Sequence, residues 1–294
     1  MLESNLVSQP IVEILASLAD TRVKVSALER LLNNGYIPTD AAESAINWMD
    51  ERRFLKQCGR LVAPRGSGKS RLCEEYEDRD FDRVIRVKAP TGCSSKQVHR
   101  LILKAMNHAA KIRRRDDPRA MVVESVMPFE IEVILIDNAQ NLAVEAFSDL
   151  KDLYDEKKVT IIFSGTPDLD VSLEQVGLLE SFPYSYPLGS LSEADFKKVL
   201  DTIEAKALNL PFESKLSEGE KFELLTTCTG SLIGRLMKLL PTAILYSVQK
   251  VSEQEADQTE SQPMYKLDSI SLEALRKIAV GYGVKVPFGK SSSK

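Results

Sequence analysis

The 294-residue sequence holds no run of about 18 or more apolar residues, so no membrane-spanning helix is predicted. Its first twenty residues, MLESNLVSQPIVEILASLAD, carry acidic side chains and no basic n-region, so they do not read as a signal peptide. Histidine is almost missing: only His99 and His108 occur, both in a basic stretch. That leaves no histidine cluster for a metal site or a histidine-based catalytic dyad. Cysteine is sparse as well. Cys58, Cys73, Cys93 and Cys228 are scattered without a CxxC pair, and read as reduced, buried thiols of a cytoplasmic protein. Neither charge dominates overall, with 39 Lys+Arg against 43 Asp+Glu and a net charge of −4. Taken as an average, that balance argues against a nucleic-acid partner. Hydrophobic residues at 43% and charged residues at 28% exclude wholesale disorder.

Four segments are expected along the chain. Residues 1–36 read as short amphipathic helices, with Ile11, Ile14, Leu15 and Leu18 on one face and Val25, Leu28, Leu31 and Leu32 on another. Asn33-Asn34-Gly35 is a stop signal. Residues 37–190 open with a helix through Ala45, Ile46 and Trp48, with Thr39 as its candidate N-cap. Short apolar runs then alternate with helical stretches: Arg60–Ala63, Val84–Val87, Val133–Ile136, Thr160–Phe163 and Tyr184–Leu188. Runs of this length, rich in β-branched residues, predict a buried parallel sheet with helices on both faces, a three-layer α/β domain. Residues 191–250 carry only helical patterns, the last interrupted by Pro241. Residues 251–294 hold a polar loop, a helix over Leu267–Val280 and a loose tail.

The sharpest motif is Ala63-Pro64-Arg65-Gly66-Ser67-Gly68-Lys69-Ser70, placed between a predicted strand and a predicted helix. Gly66 and Gly68 allow the backbone to turn its N–H groups toward phosphate oxygens, and the helix N-terminus adds its positive end. Lys69 is expected to reach the β/γ-phosphates of ATP and Ser70 to ligate Mg²⁺. Arg65, Ser67 and Arg71 complete the phosphate-binding set. Ala63 stands where the motif has its first glycine. Ile134-Leu135-Ile136-Asp137 is the second half of such a site, an apolar strand ending in a carboxylate that would hold Mg²⁺. Asn138 follows where a water-polarising carboxylate is usual, and an amide is a very poor base. Slow hydrolysis is therefore expected. Thr166, in Ser164-Gly165-Thr166, is the candidate sensor of the γ-phosphate. Arg235, early in a helix of the 191–250 segment, is the candidate that folds back onto the phosphates.

The net charge conceals a strong asymmetry. Between Arg83 and Arg119 there are 11 basic residues opposed only by Asp116 and Asp117. Lys96, Arg100 and Lys104 are four apart and share one face of a predicted helix. Arg113, Arg114 and Arg115 follow in a loop. Such a stripe suits the phosphates of duplex DNA, in binding that depends on salt more than on sequence. Aromatic residues are absent from the block, so base stacking is not expected.

Together, the phosphate loop, the strand-end Asp, Ser-Gly-Thr and a helical lid resemble an AAA+ ATPase. More narrowly, the sequence resembles the TnsC/TniB/MuB transposition regulators, closest to the TnsC of CRISPR-associated transposons. The resemblance rests on NWMDERRFLKQCGRLVAPRGSGKS, VILIDNAQNLAVEAFSDLKDLYDEKKVTIIFSGTPDLD and LTTCTGSLIGRL, and covers about residues 37–250. It implies ATP-dependent assembly of copies of the chain into rings or filaments on duplex DNA. It also implies a targeting factor (TniQ-like) and a transposase (TnsB-like) as partners, with the DNA-contacting segment just after the second strand. Two departures stand out. Asn138 replaces the usual Glu, and no Arg lies between Lys158 and Lys197 to act in trans on a neighbour's ATP. Rival readings are a nucleotide-stabilised scaffold with negligible turnover, an ExeA-like ATPase that does not act on DNA, and an Orc/Cdc6-like initiator, for which no winged helix is evident after residue 250.

Overall fold

The computed structural model describes residues 25–28, 30, 35–107, 116–247, 249–250 and 265–284. The expected Arg113–Arg115 run, the helix face at Ile11–Leu18 and the loop at 251–263 lie outside the described residues. Two compact units are present, one of Asp40–Ser190 and one of Met1–Thr39 with Leu191–Lys294.

The first unit is an α/β arrangement around one parallel sheet. Its elements run α1 (Asp40–Phe54), β1 (Gly59–Val62), α2 (Lys69–Arg79), β2 (Val84–Lys88), α3 (Ser95–Ala105), α4 (Pro118–Ser125), β3 (Val133–Asp137), α5 (Val144–Lys157), β4 (Thr160–Gly165), α6 (Asp168–Gln175) and β5 (Tyr184–Pro187). The strand order is β2-β3-β4-β1-β5, and every pairing is parallel. Helical crossovers between successive strands leave no room for antiparallel hairpins. β3 and β4 are buried along their whole length, which is why VILI and TIIF are continuous apolar runs rather than alternating ones. Phe163 sits at the centre, edge-on to Phe147 on α5 and to Phe182.

β5 is the exposed edge. α1 covers its end of the sheet: Trp48 packs on Tyr186 with ring centroids 5.6 Å apart, and the Arg52 guanidinium lies 4.3 Å from the Tyr184 ring centre. That packing needs a glycine on β1. A Cβ at Gly59 would stand 2.7 Å from Trp48 Cη2 and 3.3 Å from the Tyr184 carbonyl oxygen.

The second unit is helical: α7 (Glu193–Ile203), α8 (Gly219–Thr229), α9 (Ile233–Ser247) and α10 (Leu272–Gly281), with a two-residue ladder of β6 (Gln249–Lys250) and β7 (Tyr265–Lys266). Ser192 caps α7 through the Asp195 N–H at 3.0 Å. Pro241 lies inside α9. Leu28 near the N-terminus shares one apolar core with Leu200, Leu240, Leu275 and Ile278. The stretch around Leu28, α7 to α9 and the last helix thus share one core rather than forming separate segments. The last helix starts later than expected, because Ser271 accepts the Ala274 N–H at 3.1 Å and sets the N-cap five residues into the apolar run.

All four cysteines are free and buried, and burial pushes the Cys58 and Cys73 thiols up to about 12, so they stay protonated. Among the described residues no group of His, Cys, Asp and Glu is placed to hold a metal ion as a cluster. No described helix is long and apolar enough to cross a membrane. Gly59→Ala is expected to displace the Trp48 indole and to cost about 1–3 kcal/mol of stability, as overpacking does. Chemical denaturation of the variant with an unchanged midpoint would show that Trp48 is not held there.

Candidate nucleotide site

The site forms at the carboxyl ends of the strands, where an open α/β sheet offers a crevice. The strand order is the reason its parts meet. β4 lies between β1 and β3, so Ser164 on β4 is level with Asp137 on β3 and with Leu61 on β1. The phosphate loop leaves β1 at Ala63, whose N–H donates to the Gly165 carbonyl at 3.0 Å. The loop, the strand-end carboxylate and the end of β4 are therefore neighbours by backbone hydrogen bonding alone.

Within the loop, Gly66 (φ 89°) and Gly68 (φ 93°) take left-handed conformations that side chains disfavour. α2 begins immediately at Lys69, so its unsatisfied N–H groups face the loop. The Lys69 ammonium donates to the Ala63 carbonyl at 2.8 Å and the Pro64 carbonyl at 3.0 Å. Burial lowers the Lys69 pKa, and Asp137 opposes that shift by favouring the charged form. Ser70 is half-buried and Arg65 exposed. Arg71 pairs with Glu74 at 3.1 Å on its own helix.

Asp137 is fully buried. One carboxylate oxygen accepts the Asn138 N–H at 2.9 Å; the other has no hydrogen-bond donor. The buried hydroxyl of Ser67 is also without a partner, and that of Ser164 has only the Cys73 thiol beside it. Orphaned buried polar atoms are costly unless something completes them. A set of two hydroxyls, one carboxylate oxygen and one ammonium around a glycine loop fits a polyphosphate with a hard cation. Those residues fit ATP with Mg²⁺.

Asn138 is in the left-handed region (φ 58°, ψ 41°) and begins a 3₁₀ turn over Ala139–Asn141. Asn tolerates that backbone better than longer side chains do. Thr166 is buried, but its hydroxyl donates to Asp168 at 2.9 Å, tying the strand end to the first residue of α6. Its N–H donates to the Gln140 side-chain oxygen at 3.3 Å. Ser164, level with Asp137 and with only the Cys73 thiol beside its hydroxyl, therefore joins the candidates. The register, invisible in a one-dimensional reading of Ser-Gly-Thr, is what singles it out. Arg235 belongs to the helical unit, exposed in the first turn of α9; a Cβ on Gly230 would lie 3.9 Å from its guanidinium.

The basic block is less uniform than its charge count. Arg83 pairs with Glu132, Arg86 with Glu74 and Glu77, and Arg119 with Asp149 and Asp152. Those three neutralise acidic residues that, in sequence, lie outside the block. α3 keeps the stripe: Val98, His99, Ile102 and Leu103 are buried, while Lys96 and Lys104 are exposed and Arg100 is half-buried on the remaining surface. Burial lowers the His99 pKa, so the histidine belongs to the core side of the helix.

Residues 52–173 match the AAA domain family model. A stretch of 98 residues is 29% identical to a potential ATP-binding protein of Staphylococcus aureus; it spans 33% of this chain and 35% of that protein, about a third of the relative's length. The Aeropyrum pernix ORC1 protein, solved in complex with DNA, superposes with a TM-score of 0.57 at 12% identity, over 86% of this chain and 68% of that one. A RuvB mutant of Thermotoga maritima gives 0.51 at 12% identity, over 86% and 73%. These likenesses carry the fold.

The two hydroxyls at the end of β4 are distinguishable by mutation. Thr166→Val is expected to lower stability by about 1 kcal/mol through the lost bond to Asp168. Ser164→Ala, which removes a buried hydroxyl with only the Cys73 thiol beside it, should change the melting temperature little. A large destabilisation by Ser164→Ala alone would reassign Ser164 to the fold.

Proposed function

We propose that the chain is an ATP- and DNA-binding AAA+ regulator of DNA transposition. In this reading it assembles with copies of itself on duplex target DNA and links a targeting factor to a transposase. The observation that carries the nucleotide half is the convergence of Lys69, Asp137 and Ser164 at one sheet edge, each presenting a buried polar group beside the glycine loop. Residues Gly66, Ser67, Gly68, Lys69 and Ser70 would bind the phosphates, with Arg65 and Arg71 beside them. Mg²⁺ held by Ser70 and Asp137 would neutralise charge on the phosphate oxygens. Asn138 can orient a water but not deprotonate it, so turnover is slow. Thr166 and Arg235 are assigned to sensing the γ-phosphate and to coupling the helical unit to it.

The exposed cations of α3 support the DNA half. Lys96, Arg100 and Lys104 present charge along one helix face, and Arg113, Arg114 and Arg115 extend the same segment in sequence. ORC1 of Aeropyrum pernix, whose fold is similar, was solved with DNA. The TniQ-like and TnsB-like partners rest on the sequence resemblance to TnsC/TniB/MuB regulators.

Two measurements test this reading. ATP hydrolysis should be slow, should rise with duplex DNA, and should vanish in Asp137→Asn, while Lys69→Ala should lose nucleotide binding itself. No turnover with or without DNA would favour the nucleotide-stabilised scaffold. For DNA, replacing Lys96, Arg100 and Lys104 together by Ala should weaken binding to duplexes of any sequence. The slope of log affinity against log salt should become shallower by about 2–3. An unchanged slope would remove α3 from the interface and favour an ATPase that does not act on DNA.

A further inference from the structure

Arg86 falls within the basic block by charge count, yet its side chain turns to the nucleotide site. It lies on β2, level with Leu135 and two residues before the Lys88–Asp137 pairing. Two carboxylates on α2 fix it. Glu77 accepts from the Arg86 backbone N–H at 2.9 Å and from Nε at 3.1 Å, and Glu74 accepts from Nη2 at 3.0 Å. A guanidinium is planar, so anchoring two of its nitrogens aims the third. That third nitrogen, Nη1, stands 3.8 Å from the orphan oxygen of Asp137.

The distance is informative. It is within ion-pair range but too long for a hydrogen bond, so Asp137 is charge-compensated without being consumed. A fully buried carboxylate with no cation beside it is costly, and Arg86 with Lys69 supplies that compensation. The charges of the group close: Glu74, Glu77 and Asp137 against Arg71, Arg86 and Lys69.

We propose that Arg86 is a positioning residue, the resident counter-ion of Asp137, and that it sets how strongly nucleotide binding depends on Mg²⁺. The proposal rests on the nucleotide reading of the site. With Arg86 in place, Asp137 does not repel arriving phosphates even when no metal accompanies them. Without it, Mg²⁺ becomes the main partner able to neutralise Asp137 at the phosphates, and metal-free binding suffers most.

The test is a double-mutant cycle of wild type, Arg86→Met, Asp137→Asn and the double variant, with two readouts. The first is the dissociation constant of a non-hydrolysable ATP analogue in EDTA and in Mg²⁺. Arg86→Met should raise the ratio of the EDTA value to the Mg²⁺ value about tenfold, within the usual range of coupling between sites. The change should disappear in the Asp137→Asn background. The second is the melting temperature without nucleotide. Arg86→Met should lower it, and Asp137→Asn should restore much of the loss, because a neutral amide needs no counter-ion. A ratio unmoved by Arg86→Met, or moved equally in both backgrounds, overturns the proposal. Arg86→Lys keeps the charge and should keep the wild-type ratio; Arg86→Gln replaces Arg86→Met if the latter does not fold, and a Lys variant that behaves like Gln also overturns the proposal. Wild type that binds the analogue in neither condition would instead defeat the nucleotide reading, while the melting cycle would still decide whether Arg86 compensates Asp137.

Discussion

The ladder that places β4 between β1 and β3 determines most of the chemistry of this molecule. Parallel hydrogen bonds bring Leu61, Asp137 and Ser164 level, although they are far apart in sequence. Each strand then ends at the same edge, and whatever follows β1, β3 and β4 meets there. The glycine loop follows β1, the carboxylate closes β3, and Ser164 with Thr166 closes β4. Burial of β3 and β4 on both faces holds that register, since a slip of one residue would exchange the faces of every side chain.

Much of the fold was legible in the sequence because the apolar runs are short, β-branched and separated by helical stretches. The five strands were found for that reason, and so was the Ser192 start of α7, where a hydroxyl precedes an acidic first turn. Less legible was anything decided between distant segments. The Leu267 run looked helical throughout, but Ser271 caps the helix within it. Leu28 looked like part of an extension, but it lies in the core of the helical unit.

The site divides the same way. Gly66, Gly68, Lys69 and Asp137 announce themselves because their spacing is a local property of a strand, a loop and a helix. Ser164 and Arg86 do not, since their importance lies in register and in ion pairing across elements. Counting charges along the chain put Arg83, Arg86 and Arg119 in the same basic block as the candidate DNA-binding residues. Each is instead matched by carboxylates that sit elsewhere in sequence. A block of like charge is therefore an upper bound on the surface it presents. What survives folding is the part that stays at the surface, and here the α3 stripe, with Lys96 and Lys104 exposed and Arg100 half-buried, is the strongest remnant.

The Lys69 ammonium clasps the Ala63 and Pro64 carbonyls of its own loop. The loop therefore carries an internal clasp that holds the turn in shape before any ligand arrives. A ligand that recruits this ammonium exchanges one set of bonds for another rather than adding to the total. Most of the ordering entropy has already been spent in folding, so association selects a formed cradle instead of building one. Selectivity then falls to anions dense enough in charge to outcompete two neutral carbonyls, which favours polyphosphates over singly charged ions.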